Sequence, residues 1–370
     1  MNPKLKSLDI IKGIGIIMII IVHNRHFIMQ DMSGLRLLIN YGQMGCQLFF
    51  FTSGFSLCYS WEHMGSSRPK SLRFILRRYL RLAPGYLIFM TVNLLLNILL
   101  MDGFHASPGF IMNREPRAIL ANIFFLHGLF SDYINNVFPG GWYIGTAFLL
   151  YVSFPPLYAI FQRLRSIHPL CMAAVPPLLL LLNCILLRSM SELPGKELLI
   201  GNNTFLYYFF TNQLPCFSLG ILLFLQEKKE QCPLAVSVIL FAVSTAICTA
   251  LYLNPPTPFV YTFLPSLAGL SAYWLTTALI RVEKKQLPSS PVSRFLASCG
   301  RNSYGMYLTH SLVSWYGMKA LTSLLAQNGG TYDDLLLYSL TFLPSVLVIY
   351  MMGRYVEHLL SRIDRRLRRT

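Results

Sequence analysis

Long apolar runs separated by short polar segments dominate the hydrophobic pattern of this 370-residue chain. A helix needs about 20 apolar residues to cross roughly 30 Å of hydrocarbon. Runs of suitable length lie at 8–24, 44–62, 81–102, 140–162, 170–188, 204–225, 233–253, 257–280, 301–326 and 334–360. The pattern therefore predicts an all-α polytopic membrane protein, a bundle of about ten transmembrane helices.

Composition and charge agree with this prediction. The chain is 54% hydrophobic and 12% charged, whereas a soluble domain is about a quarter charged. Of the 31 Lys and Arg residues, 22 fall in segments on one side of the predicted membrane and six on the other. Because short cytoplasmic loops carry the excess of Lys and Arg, both termini are predicted to be cytoplasmic. The net charge of +16 is thus a topological signal, and we expect no nucleic-acid partner.

The remaining segments predict one transmembrane domain over residues 1–370. The apolar stretch 118–130 is too short to cross and predicts a re-entrant or interfacial segment. No internal repeat is visible, which disfavours transporter folds built from duplicated halves. The eight cysteines lack C-x-x-C spacing, so we expect no metal. The first apolar run has no small-x-small cleavage site after it, which predicts an uncleaved first span. We expect a multi-pass protein of the inner (plasma) membrane.

A cation and an imidazole bracket the first apolar run, in KGIGIIMIIIVH. Ten Ile, Val, Met or Gly residues separate Lys12 from His23. Eleven steps of 100° come within about 20° of three full turns, so both side chains share one helix face, about 16 Å apart along the axis. Ionisable groups at membrane depth usually face a bundle interior or a wet cavity. Alternatively, Lys12 snorkels inward and His23 lies outside the hydrocarbon.

Two further stretches place polar groups within apolar runs. In FFFTSGFSL, Ser53 lies mid-span and Gly54 would let another helix approach closely. In RNSYGMYLTH, Tyr307 and His310 are three residues apart and can share a face toward the bundle. The alternatives are a simple packing contact at Ser53 and an interfacial helix end at the tyrosine and histidine.

Four arginines precede a proline in RFILRRYLRLAPGY, and the last three of them lie closest to it. We expect a helix to start near Pro84, with Arg77, Arg78 and Arg81 at its entrance. Guanidinium groups at a helix entrance suit phosphate binding. The alternative is topogenic charge alone.

Together these residues resemble the acyltransferase-3 family of integral membrane acyltransferases, which acylate carbohydrates of bacterial cell surfaces. The resemblance covers most of the chain and rests on four patterns in order: Lys12-x10-His23, FF-x-SGF at 50–55, RR-x-x-R-x-x-P at 77–84 and SY-x-x-YL-x-H at 303–310. ANIFFLHGLF followed by GGWYIG also resembles the family's middle section.

The resemblance implies acyl-CoA, most often acetyl-CoA, as donor and a sugar hydroxyl of a surface glycan or its lipid-linked precursor as acceptor. Lys12 and the three arginines would then hold the charged part of CoA. His23 would act as general base, with a covalent acyl-histidine as a second route. Ser53, Tyr307 and His310 are candidates for positioning or oxyanion stabilisation.

Two residues near the predicted outer loop are candidates for the acceptor. His127 and Trp142 could contact a sugar, Trp142 by stacking on its apolar face, although such a Trp often only marks the interface. The bilayer and proteins of glycan assembly are further expected partners.

The chain also departs from the family pattern at two positions. Lys12 stands where the family usually has Arg, and a point charge replaces a bidentate fork. Ala147 stands where many members carry Glu. The Ala147 departure keeps open a catalytically silent family member. A transporter or exporter of a glycan or acyl group is a separate alternative to the enzyme.

Overall fold

The computed structural model describes residues 5–24, 39–65, 69–101, 114–191, 203–227, 232–254, 257–286, 289–317, 321, 324 and 334–367. Within these ranges the chain consists of helices joined by short turns, and no strand occurs among them. The prediction of an all-α fold is confirmed.

The α-helices are numbered in chain order. They are α1 (Lys6–Asn24), α2 (Gly45–Glu62), α3 (Lys70–Met101), α4 (Pro116–Ile123), α5 (Trp142–Ile167), α6 (Val175–Ser191), α7 (Asn203–Tyr208), α8 (Phe210–Gln226), α9 (Leu234–Tyr252), α10 (Pro258–Lys284), α11 (Pro291–Arg301), α12 (Ser303–Ser311) and α13 (Asp334–Leu367). A π-helical turn, Leu312–Gly317, comes directly after α12.

Eight helical segments in the described part of the chain are long and apolar enough to cross a membrane. They correspond to eight of the ten apolar runs and support a multi-pass membrane protein. The other two runs are helical but shorter. One is α2, with 18 residues and polar side chains at both ends. The run at 301–326 divides into α12 and the π-helical turn, and most of its residues beyond 317 lie outside the described ranges.

The chain divides into two compact units, each assembled from separate segments. Unit 1 comprises Met1–Cys46, Pro84–Asn93 and Pro288–Thr370, and unit 2 comprises Gln47–Ala83 and Leu94–Leu287. Both units are discontinuous in sequence, so no single linker separates one unit from the other. The single transmembrane domain stays a prediction.

Unit 1 contains a close helix pair formed by α1 and α11. A Cβ atom on Gly13 would clash with the carbonyl oxygen of Leu296, and one on Gly300 would clash with that of Asp9. The Asp9 carboxylate is buried and lies 3.9 Å from the guanidinium of Arg301. This ion pair and the two glycines hold the first turns of α1 against α11.

In unit 2 the corresponding close pair is α2 and α8. A Cβ atom on Gly54 would clash with the carbonyl oxygen of Phe217, and one on Gly220 would clash with that of Phe51. The prediction that Gly54 admits another helix backbone is confirmed, and α8 is that helix.

A buried amide network closes the break between α7 and α8 at Phe209, where the backbone is extended. The Gln213 side chain donates to the carbonyl of Tyr207 at 2.5 Å, and Gln47 donates to Gln213 at 3.1 Å. The Tyr207 hydroxyl completes the ring by donating to Gln47 at 2.9 Å. Such satisfaction is required because broken helices at membrane depth expose backbone groups that lipid cannot pair.

One predicted boundary is wrong. Helix α3 begins at Lys70 and runs through Pro84 to Met101, so no helix starts near Pro84. The residues before the proline are mostly Leu, Arg, Ile and Lys, which favour the helix. The three arginines therefore lie within a helix and not at its entrance.

Candidate functional site

The central feature of unit 1 is a pair of histidines from two helices. His23 lies in the last turn of α1 and His310 lies near the end of α12. Their ring centroids are 4.7 Å apart with an interplanar angle of 68°. His310 is 1% exposed, whereas His23 is half-buried. The two most chemically versatile groups of the sequence patterns thus meet, although 287 positions of numbering separate them.

Backbone contacts determine the tautomer of both rings. The Nδ1 atom of His23 lies 2.8 Å from the carbonyl oxygen of Ile19. The Nδ1 atom of His310 makes the equivalent contact with the carbonyl oxygen of Tyr307. A carbonyl only accepts hydrogen bonds, so each Nδ1 must carry the hydrogen. In the neutral state both rings therefore hold their lone pair on Nε2, the atom that a general base would use.

Tyr307 extends this pair along α12. Its ring centroid is 5.1 Å from that of His310, and its side chain is 3% exposed. The prediction that Tyr307 and His310 share a face toward the bundle is confirmed.

A second polar pair lies next to the histidines. Asn24 comes directly after His23, and Ser314 lies four residues beyond His310 in the π-helical turn. The Ser314 hydroxyl donates to Oδ1 of Asn24 at 2.6 Å, and both side chains are fully buried. In addition, the hydroxyl of Tyr338 donates to the carbonyl of Ile21 at 3.1 Å, which anchors the last turn of α1.

Lys12 lies in the first half of α1, in the same unit. It is half-buried and lies three turns before His23, about 16 Å away along the helix axis at 1.5 Å per residue. Asp9, one turn earlier, has Arg301 as an ionic partner. Lys12 thus lies near the Asp9–Arg301 ion pair along α1, whereas His23 lies beside the polar pair of Asn24 and Ser314.

The three arginines lie in the first half of α3, within unit 2. Arg77 and Arg81 are exposed and Arg78 is half-buried. The guanidinium carbon of Arg78 lies 5.2 Å from the centroid of the Phe74 ring. A helix-dipole contribution to anion binding is confined to the first turn, so these side chains offer charge and guanidinium geometry only.

Ser53 also lies in unit 2, in the middle of α2. Its hydroxyl is half-buried and 3.5 Å from the hydroxyl of Tyr151 on α5. The structure thus assigns Ser53 a partner in unit 2, whereas His23, Tyr307 and His310 belong to unit 1.

His127 and Trp142 are both interior side chains of unit 2. Trp142 is 6% exposed, and its ring stacks on Tyr208 with centroids 4.2 Å apart. His127 is fully buried and donates from Nε2 to the carbonyl of Gly141 at 3.0 Å. Burial lowers the pKa of His127 to about 4, although hydrogen bonds to the carbonyls of Gly141 and Ala121 oppose the shift. Their burial favours a packing role.

Sequence reasoning missed an open groove beside His127, which we call the Phe130 groove. It has a volume of about 660 Å³ and combines exposed apolar side chains with one cation and one carboxylate. Its lining includes Arg117, Phe124, Phe130, Asp132, Tyr133 and Phe209. The exposed apolar side chains of this segment, Phe124, Leu126, Leu129 and Phe130, resemble those of any interfacial segment, so periodicity alone offers no signal for a concave surface.

Asn24 and Ser314 were missed as well. An Asn next to a histidine and a Ser inside an apolar run carry no motif of their own. The two side chains are brought together only by the packing of α1 against the turn after α12.

Comparison with known proteins identifies one family. The model of the acyltransferase-3 family, described as an acyltransferase domain, matches residues 5–354 and so runs through both units. No curated protein and no solved structure matches the chain significantly.

Proposed function

The chain belongs to the acyltransferase-3 family, and on that premise we propose that this membrane acyltransferase moves an acetyl group from acetyl-CoA to a hydroxyl of a cell-surface glycan or its lipid-linked precursor. The observation that carries the proposal is the histidine pair of unit 1. Two imidazoles whose Nδ1 atoms donate to backbone carbonyls, so that Nε2 is the nitrogen that would accept a proton, form a site that can act on a hydroxyl.

His23 acts as the general base in this proposal because it is the more exposed of the two rings. Its Nε2 takes the proton of the acceptor hydroxyl while the hydroxyl oxygen attacks the thioester carbonyl. The carbon–sulfur bond then breaks, and the leaving CoA thiolate takes the proton from the imidazolium. The products are an ester on the sugar and free CoA, and His23 returns to its neutral form.

His310 supports this step by packing against the His23 ring. Its ring is edge-on to His23 and buried against Tyr307. We assign it, with Tyr307, the role of positioning the base and limiting water near the thioester. Ser53 is kept as a positioning candidate within unit 2, held by Tyr151.

Candidates for the donor's charged part are Lys12 in unit 1 and, separately, the arginines of unit 2, Arg77, Arg78 and Arg81. Phosphates favour guanidinium and ammonium groups, and all four side chains have some solvent exposure. An extended pantetheine arm matches the distance of about 16 Å from Lys12 to His23 along α1.

The acceptor is assigned to the Phe130 groove of unit 2, whose lining includes Leu126 and Leu129, the residues on either side of the buried His127–Gly128 pair. Aromatic side chains with a neighbouring carboxylate and guanidinium suit a sugar, which has apolar faces and hydroxyl edges. Phe130 is 47% exposed and Phe124 is 55% exposed, so both rings are available to a ligand.

Acetyl transfer from radiolabelled acetyl-CoA to the host's glycan fraction tests the proposal. Membranes with the wild-type chain, His23→Ala and the matched control His358→Ala are compared at equal protein abundance, because His358 is an exposed histidine on α13. We expect alkali-labile label with the wild type and the control and none with His23→Ala.

Label that persists in His23→Ala would remove His23 from the chemistry. Absence of label in the wild type would remove the donor or the acceptor assignment. A transporter, by contrast, would move glycan across the membrane without consuming acetyl-CoA in any of the three preparations.

A further inference from the structure

In the side-chain amide of Asn24, the oxygen has a hydrogen-bond partner and the nitrogen has none among the described residues. Its Oδ1 accepts from Ser314 at 2.6 Å. Among the residues that the structure describes, none accepts a hydrogen bond from Nδ2, although the side chain is fully buried. A buried polar group without a partner destabilises the fold, so one retained in a native protein calls for an explanation.

In the structure the carbonyl oxygen of the Asn24 amide, and not its nitrogen, faces the Ser314 hydroxyl, which donates to it. The two N–H donors are then directed away from Ser314. In this orientation the Asn24 amide is a fixed donor, whereas the hydroxyl of Ser311, which follows His310 in the sequence and has no partner among the described residues, can rotate.

The position of this donor is tied to the histidine pair by chain geometry. Asn24 is adjacent to His23 on α1, and Ser314 lies about one turn after His310. The contacts His23–His310 and Asn24–Ser314 are thus two successive contacts between the same two chain segments. The π-helical turn that carries Ser314 begins two residues after His310, and such turns are frequent at functional sites.

We propose that Nδ2 of Asn24 donates a hydrogen bond to the thioester carbonyl oxygen of the acyl donor as that oxygen becomes negatively charged. Ser314 is the positioning residue that orients the amide. The inference rests on the acyltransfer proposed above and adds the electrostatic part of the step. No proton is transferred by Asn24; the N–H remains intact while the carbonyl oxygen gains and then loses charge.

This role requires that the N–H group of Asn24 bind the carbonyl oxygen more strongly in the transition state than in the ground state. Removing one oxyanion donor typically lowers kcat by 10²–10³-fold. KM changes little when an interaction is made mainly in the transition state. A purely structural amide, or one satisfied by an ordered water, would not show this separation of kcat from KM.

The test uses the full-length protein in membranes with labelled acetyl-CoA and the host's glycan fraction. The double variant Asn24→Leu/Ser314→Ala removes both polar groups together, so that neither is left unpaired. We expect a wild-type thermal midpoint, a kcat lowered about 100- to 1000-fold and a KM for acetyl-CoA within about threefold. The single variant Ser314→Ala should lower kcat about tenfold, and Ser314→Thr should restore it because the hydroxyl is retained.

Thr309→Val is the matched control, because Thr309 is fully buried on α12 and bonds only within its own helix. We expect its kcat to equal that of the wild type. If Asn24→Leu/Ser314→Ala keeps a wild-type kcat, the Asn24 role is overturned while the acyltransferase stands. If the wild type itself transfers no acetyl group, the proposed function and the Asn24 role fall together.

Discussion

The imidazole of His310 lies edge-on to that of His23, with ring centroids 4.7 Å apart, and each ring donates from Nδ1 to a carbonyl of its own helix. This arrangement fixes both rings in one orientation and makes Nε2 of each the nitrogen that can accept a proton. The two histidines should also act together, because each ring packs against the other and displacing one ring removes a packing contact of its neighbour.

The first prediction concerns His310. His310→Asn should lower kcat about 10²- to 10⁴-fold, because general-base catalysis of this size depends on the placement of the base. The double variant with His23→Ala should be no worse than His23→Ala alone, since residues that act as a unit are not additive. Transfer of label to glycan measures both. Wild-type activity in His310→Asn would show that His23 acts without its neighbour.

The second prediction separates charge recognition from chemistry. Arg78→Gln should raise the KM for acetyl-CoA about tenfold, as expected for the loss of one charge-assisted contact. With acetyl-pantetheine, which lacks the nucleotide phosphates, the variant and the wild type should have the same KM. Arg163→Gln, an exposed arginine on α5, is the matched control. An equal rise in KM for acetyl-CoA and for acetyl-pantetheine would contradict the assignment of Arg78 to the phosphates.

A third prediction tests the contact between α2 and α8. Gly54→Ala should lower the free energy of unfolding by about 1–3 kcal/mol, because the added methyl group meets the carbonyl of Phe217 and forces the helices apart. Gly65→Ala is the control, since a Cβ atom there has open space around it. Thermal unfolding in detergent measures both, and equal midpoints would show that α2 and α8 can separate at little cost.

The fourth prediction is a pH dependence. The pKa of His127 is about 4 in the folded protein and about 6.5 when unfolded. Between these values the unfolded chain binds more protons, so stability should fall as pH drops from about 6.5 toward 4, by on the order of 3 kcal/mol in total. Above pH 7 this contribution is constant.

His127→Asn should flatten this dependence, because its side chain does not titrate. Unfolding midpoints of the variant and the wild type at several pH values between 4 and 8 provide the measurement. Parallel curves for the two proteins would show that His127 is not the group responsible.

The fifth prediction concerns the Phe130 groove. Phe130→Ala should raise the KM for the acceptor glycan about tenfold and leave the KM for acetyl-CoA unchanged, because stacking on an aromatic ring contributes about 1 kcal/mol or more. Tyr355→Ala removes an aromatic side chain that is 65% exposed on α13 and serves as control. An unchanged acceptor KM would place the acceptor elsewhere.

Much of the architecture is determined by local sequence. The crossing of hydrocarbon requires long apolar helices, so eight of the ten runs are recognisable without any tertiary information. The face shared by Tyr307 and His310 and the close approach at Gly54 are likewise local properties, set by helix periodicity and by the absence of a side chain. Family membership was also readable from four short patterns in order.

Tertiary structure decided which residues of those patterns contact one another. Pro84 could begin a helix or interrupt one, and only the continuous course of α3 shows which. The burial of Trp142 depends on Tyr208, and the pairs His23–His310 and Asn24–Ser314 join segments that are almost 300 positions apart. Periodicity describes a residue's face on its own helix, whereas the neighbour across that face is determined by packing of the whole chain.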